Sequence, residues 1–214
     1  MDKICYIIGA GDVDTFGCKA GEDDFIICAD GGYKFNNILG RECDLVVGDF
    51  DSLGEIPVTD RKKVLPCEKD ETDMDVCVSE GMKRGYRIFV IFGGLGGDRP
   101  DHSIANIQLL HKIASLGAAG FLVWGERIFT AVKDSSVLFD ENCKGYFSVF
   151  SLTDESRGVT LRNLKYEIND FTLPSGRPVG VSNEFIGKRA EVEVSDGVLL
   201  LYWCGKVSDI SIKN

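Results

Sequence analysis

Asp49 and Asp51 stand one residue apart in Gly48-Asp49-Phe50-Asp51-Ser52, directly after the apolar run Leu45-Val46-Val47. A short β-branched run of this kind reads as a buried strand, so it delivers two carboxylates into the loop at its carboxyl end. Like charges this close repel unless a cation or a strong donor set stands between them. Mg²⁺ answers that need, because it is held by one or two carboxylates together with substrate phosphates. The competing reading is a solvated acidic turn, since Gly, Asp and Ser are ordinary turn residues.

Three further stretches carry related chemistry. Asp30-Gly31-Gly32 follows the apolar run Phe25 to Ala29 and precedes a short helical stretch, Tyr33 to Leu39. Paired glycines there allow close backbone approach and a free helix N-terminus, both suited to phosphate; Asp30 as a plain N-cap is the alternative. Lys69-Asp70-Glu71-Thr72-Asp73-Met74-Asp75 opens a helix whose stripe is Met74, Cys77, Val78 and Gly81, with Thr72 as its cap. Helix-dipole compensation accounts for one or two acidic residues in a first turn, and less well for Asp70, Glu71, Asp73 and Asp75 together. Gly93-Gly94-Leu95-Gly96-Gly97 follows Arg87 to Phe92 and runs into Asp98-Arg99-Pro100-Asp101-His102. So many glycines cost backbone entropy, and a backbone cradle for phosphate is their natural use. The Gly-Lys-Ser/Thr ending of a P-loop is missing, while Arg99 supplies a bidentate phosphate donor. Asp101 reads equally as a helix cap, and His102 as a solvent-exposed first-turn residue.

The elements that must position these residues form a strand-rich first half. Apolar runs at Ile4 to Ile8, Phe25 to Ala29, Leu45 to Val47, Lys63 to Leu65, Arg87 to Phe92 and Phe121 to Trp124 alternate with helical or glycine-rich connections. This predicts an open, mostly parallel Rossmann-like α/β sheet with helices on both faces. One helix is expected to pack through Ile104, Ile107, Leu110 and Ala114, with Leu109, Ile113 and Leu116 widening the stripe. The carboxyl ends of parallel strands lie on one edge, where ligands bind. Asp30, Asp49, Asp51, Asp73 and the glycine loop before Arg99 and Asp101 therefore converge on a metal-dependent nucleotide or phosphate site. Gly9-Ala10-Gly11 begins like a dinucleotide fingerprint, which would make the chain a dehydrogenase, but Asp14 stands where the third glycine belongs.

After about residue 130 the pattern changes to short, partly alternating runs such as Tyr146 to Phe150, Ala190 to Val194 and Val198 to Trp203, split by Gly, Asn, Asp and Pro. These predict an all-β sandwich or barrel, and a division into residues 1–132 and 133–214. The 214 residues carry a net charge of −10, which argues against a nucleic-acid or anionic-membrane partner. No apolar stretch approaches the length of a membrane span. No two of the eight cysteines are closer than ten residues, so no Cys-x-x-Cys motif exists, and buried thiols in a reducing cytoplasm are expected.

Five stretches, in this order, resemble thiamin pyrophosphokinases: Ala29-Asp30-Gly31-Gly32, Gly48-Asp49-Phe50-Asp51-Ser52, Asp70-Glu71-Thr72-Asp73, Gly93 to His102, and Val181-Ser182-Asn183-Glu184-Phe185. One departure is Asp98, which intrudes between Gly97 and Arg99. The resemblance implies an ATP- and Mg²⁺-binding α/β domain, a C-terminal β-sandwich and a homodimer. It implies transfer of a diphosphate from ATP to the hydroxyl of thiamin, giving AMP and thiamin diphosphate. By motif match, Asp49, Asp51 and Asp73 belong to the metal and phosphate site with Asp101 close by. Asp30, Thr72 and Arg99 contact ATP, beside the phosphate-facing Gly31, Gly94, Gly96 and Gly97. Ser182 and Asn183 line the thiamin pocket. Trp203 either stacks on thiamin or is a core or interface aromatic. The alternative to an enzyme is a non-catalytic module of the same fold that binds a nucleotide or thiamin diphosphate.

Overall fold

A computed structural model describes residues 3–51, 54 and 57–213; Ser52 of the stretches above lies outside them. The fold is mixed α/β with a large sheet and few helices, and it divides into two compact units. The first is Met1–Leu109 with Leu122–Gly125; the second is Leu110–Phe121 with Glu126–Asn214.

In the first unit the strands are β1 (Ile4–Ile8), β2 (Phe25–Ala29), β3 (Leu45–Gly48), β4 (Lys62–Val64) and β5 (Ile88–Phe92). Beside β5 runs β6 (Ala119–Trp124), whose residues are divided between the units. The order β4-β3-β2-β1-β5 is parallel at every pairing. Central strands of a parallel sheet are covered on both faces, which is why β1, β2 and β5 read as unbroken apolar runs, each buried over its last four residues.

Helices are fewer than one per crossover. Among the described residues there are two α-helices, α1 (Asp73–Lys83) and α2 (Pro100–Ser115), which follow β4 and β5. The stretch after β2 forms only a 3₁₀ turn, Asp30–Phe35, and the β1–β2 connection has no helix. Glycine explains the shortfall, since Gly9, Gly11, Gly17 and Gly21 punctuate that connection and glycine is a poor helix former.

α1 is built as its sequence predicts. The Thr72 hydroxyl accepts from the Asp75 N–H at 3.2 Å, and Met74, Cys77, Val78 and Gly81 are buried. Its end is a glycine cap: Gly85 has φ 89°, and the N–H groups of Gly85 and Tyr86 return to the carbonyls of Met82 and Gly81. Glu80 faces the sheet from α1, nearly buried, and accepts from Lys63 of β4 at 2.8 Å as well as from Arg84 and Lys83. These three cations, Lys63 foremost, hold its carboxyl down to about 2.

α2 is turned from the expected stripe. Asn106, Leu109, Leu110 and Ile113 are buried, while Ile104 and Leu116 are exposed. The rotation has a polar cause, since the buried Asn106 amide donates to the Gly94 carbonyl at 2.7 Å.

The second unit contains β7 (Arg127–Lys133), β8 (Ser136–Phe139), β9 (Tyr146–Ser151), β10 (Glu155–Arg162), β11 (Ile168–Pro174), β12 (Asn183–Glu184), β13 (Ala190–Glu193), β14 (Val198–Cys204) and β15 (Ile210–Lys213). They form two antiparallel groups, β7-β14-β9-β12 and β11-β10-β13-β8-β15. Aromatic side chains join them: Phe139 of β8 lies 5.4 Å from both Phe147 of β9 and Trp203 of β14, edge to face, and 5.3 Å from Phe185. The two groups thus share an aromatic core.

Candidate active site

The acidic site lies at the carboxyl edge of the first unit's parallel strands. Asp30 follows β2, and Asp49 and Asp51 follow β3. One carboxylate oxygen from each of the three lies within 4.8 Å of the others. Two unit charges at that separation repel by roughly 3 kcal/mol at an effective dielectric of about 20. Three hard oxygens converging in this way are the donor set a divalent cation such as Mg²⁺ takes.

Backbone packing brings them together. An ideal Cβ on Gly48 would stand 2.9 Å from the Asp30 Cα, so only glycine lets the ends of β2 and β3 approach so closely. Asp30 itself has φ 44°, and Phe50 has φ 64° with its ring 2 % exposed. Left-handed backbone at non-glycine residues is strained, and here it falls on the residues that aim the carboxylates. Phe50 is buried between the two aspartates, of which Asp51 is exposed and Asp49 largely covered. The Asp51 N–H donates to Asp49 Oδ1 at 3.3 Å, which ties the two together.

Lys69 joins this loop to α1. Its ammonium lies 3.5 Å from Asp49 Oδ2 and 3.0 Å from Asp73 Oδ1, with the side chain only 14 % exposed. Burial pushes Asp73 up and, with the Asp30 and Asp49 charges, outweighs Lys69. For Asp49 the balance is reversed. Burial acts upward, but the Asp51 N–H and Lys69 together bring it below the usual range.

The glycine loop after β5 packs on the loop after β1. The Gly11 N–H donates to the Gly93 carbonyl at 2.9 Å and the Asp12 N–H to Leu95 at 3.1 Å; a Cβ on Gly9 would meet the Gly93 carbonyl at 2.6 Å. Gly9 and Gly11 thus serve backbone contact, not a dinucleotide fingerprint. Gly96 and Gly97 are left-handed, at φ 72° and 73°. Gly31 is buried, and Thr72 caps α1. Arg99 and Asp101 pair with each other at the exposed start of α2, Nε–Oδ1 at 3.0 Å and Nη2–Oδ2 at 2.8 Å, and Arg99 holds the Asp101 carboxyl down to about 2.

In the second unit, Ser182 is exposed with φ 62°, and its N–H donates to Ser148 Oγ at 3.2 Å. The Asn183 side chain is buried and works internally: its carbonyl accepts from the Tyr166 and Glu184 N–H groups, and its amide donates to the Tyr166 carbonyl at 2.7 Å. Trp203 is fully buried against Phe139, the core alternative of its two readings; its indole N–H finds no partner among the described residues.

The structure sets the position of one expected residue and adds another to the site. Asp30 does not stand at the N-cap position, which is Ala29; it is the first residue of the 3₁₀ turn. It joins Asp49 and Asp51, whereas Asp73 stands across Lys69 from Asp49. Lys69 was hidden in a run of charges; its only signal was a basic residue four before Asp73, the spacing of neighbours on a helix.

Comparison with known proteins decides the family. Residues 20–119 match the family model "Thiamin pyrophosphokinase, catalytic domain" and residues 135–199 match "Thiamin pyrophosphokinase, vitamin B1 binding domain". A thiamine pyrophosphokinase of Bacillus subtilis is 30% identical over 162 residues, 72% of this chain and 75% of that protein. The chain belongs to the thiamin pyrophosphokinase family. Its fold agrees. A crystal structure of thiamine pyrophosphokinase from Bacillus subtilis superposes with TM-score 0.79 at 24% identity, covering 96% of this chain and all of the other. Thiamin pyrophosphokinase from Candida albicans gives TM-score 0.73 at 15% identity, covering 95% and 89%. The catalytic-domain match takes in every carboxylate of the acidic site, and the vitamin B1 binding match takes in Ser182 and Asn183.

Proposed function

We propose that the chain moves the terminal diphosphate of ATP onto the hydroxyl of thiamin, releasing AMP, with the acidic site of the first unit as the place where the polyphosphate is held. The observation that carries this is the convergence of Asp30, Asp49 and Asp51 in a family that uses ATP. Asp49 and Asp51 are the metal ligands with Asp30 as third, and Asp73 stands next to them through Lys69. Mg²⁺, when bound there, offsets phosphate charge, the main demand of phosphoryl-type transfer. Gly31, Gly94, Gly96 and Gly97 keep side chains out of the phosphate's way, and Thr72 faces ATP from the cap of α1. Arg99 exchanges Asp101 for phosphate, a swap favoured by the bidentate geometry common to both. Residues 1–132 thus serve ATP in a Rossmann-like manner, and 133–214 serve thiamin, with the exposed Ser182 lining its pocket and Asn183 holding the loop's shape.

The complete set of carboxylates favours the enzyme over a binding module. Incubation with Mg-ATP and thiamin is expected to produce AMP and thiamin diphosphate together. ADP in place of AMP would overturn diphosphate transfer, and ATP binding without turnover would establish the module instead. Exposed Tyr146, Tyr166, Val181 and Ile186 on the second unit support a homodimer, checked by sedimentation. Eight free thiols support a reducing cytoplasm.

A further inference from the structure

The metal reading leaves Lys69 unexplained. A lysine side chain that is 86 % covered and lies between two carboxylates is costly to order and to desolvate, and the desolvation offsets much of the ion-pair attraction. It stands where the loop after β3 meets the first turn of α1, within 3.5 Å of Asp49 and 3.0 Å of Asp73. Asp49 is committed on both oxygens, Oδ1 to the Asp51 N–H and Oδ2 to Lys69. Four carboxylates, Asp30, Asp49, Asp51 and Asp73, share this corner, and the Lys69 ammonium lies against two of them.

We propose that Lys69 is the built-in counter-ion of the acidic site, a positioning residue whose ammonium fixes Asp49 and Asp73 and takes the place of a second divalent cation. This rests on the metal reading above. The ammonium neutralises the Asp49–Asp73 side, leaving the Asp30–Asp49–Asp51 side for one ion. Because it is a cation beside that ion, Lys69 opposes metal binding while it organises the ligands. Removing its charge therefore tightens metal binding as it lowers turnover, a combination that a merely structural lysine does not give.

The test is Mn²⁺ binding to the nucleotide-free protein, read by calorimetry, with Lys69→Met, Lys69→Gln, Lys69→Arg and Asp51→Asn beside the parent chain. The parent is expected to bind one Mn²⁺ per chain. Lys69→Met and Lys69→Gln are expected to bind it about tenfold more tightly, or to take a second ion, because a neighbouring positive charge is gone. Their kcat with Mg-ATP and thiamin falls on the order of a hundredfold, as for loss of one electrostatic contact. Lys69→Arg keeps the parent's stoichiometry and affinity within about threefold, since charge is retained though geometry is not. Unchanged or weaker Mn²⁺ binding in folded Lys69→Met and Lys69→Gln overturns the counter-ion role alone, provided that Asp51→Asn loses the ion. An ion unaffected by Asp51→Asn, or absent from the parent, overturns the metal reading and the role of Lys69 with it.

Discussion

The acidic corner of the first unit and the aromatic core of the second are held by opposite means. In the core, Phe139, Phe147, Phe185 and Trp203 meet edge to face or tilted at 5.3–5.8 Å, and side-chain packing does the holding. At the acidic corner the side chains repel one another, and the backbone holds them. Gly48 lets two loops touch, Asp30 and Phe50 take left-handed conformations, and Lys69 bridges what remains. The lesson is that stability and chemistry are drawn from different residues, so substitutions in the two places should separate them.

The core should show the largest loss of stability. Trp203→Ala removes the largest fully buried side chain and is expected to cost about 3–5 kcal/mol in urea unfolding. A cost under about 1 kcal/mol would mean that the aromatic core does not hold the second unit. Gly48→Ala probes the other mechanism. A methyl 2.9 Å from the Asp30 Cα forces the loops apart, costing about 1–3 kcal/mol while disrupting the trio. Mn²⁺ binding should fall with it, and intact Mn²⁺ binding would separate the trio from the glycine contact.

The smallest effect is expected at Glu80, which stabilises the first unit by charge without entering the site. Its carboxyl is at about 2 when folded against a usual 4.5, so its contribution is complete above about pH 4.5 and is lost as pH falls toward 2. Its partners' side chains are 39–68% exposed, which discounts the contribution to about 1–2 kcal/mol. Glu80→Gln should be less stable by that amount at pH 7 and indistinguishable from the parent near pH 2. A gap that persists in acid would assign the effect to packing.

What could be read in the sequence follows the same division. β1, β2, β3 and β5 were legible because strands covered on both faces are unbroken apolar runs. The Thr72 cap and the stripe of α1 were legible because they are local. β7 was missed: its uncharged run Ile128 to Val132 straddles the change of pattern near residue 130, and its pairing with β14, more than sixty residues on, defines it as a strand. The inward face of α2 was misread because an asparagine, not a hydrophobe, sets its rotation. Asp49 and Asp51 stood out at two-residue spacing. Asp30 was expected at the same strand edge and among the ATP contacts, while the close approach of Gly48 to Asp30 that sets it beside Asp49 and Asp51 joins residues eighteen apart. Lys69 sat among Glu68, Asp70 and Glu71, and no single-chain pattern shows which member of a charged run turns inward.

The central claim is that the acidic corner does the chemistry and contributes little to holding the fold. Asp51→Asn, measured for both kcat and unfolding free energy, tests it most directly. The account predicts a kcat lowered about 10²–10³-fold with Mg-ATP and thiamin. It predicts stability unchanged or raised by up to about 1 kcal/mol, because a like charge leaves the trio. Near-normal turnover, or a loss of stability as large as that of Trp203→Ala, would contradict it.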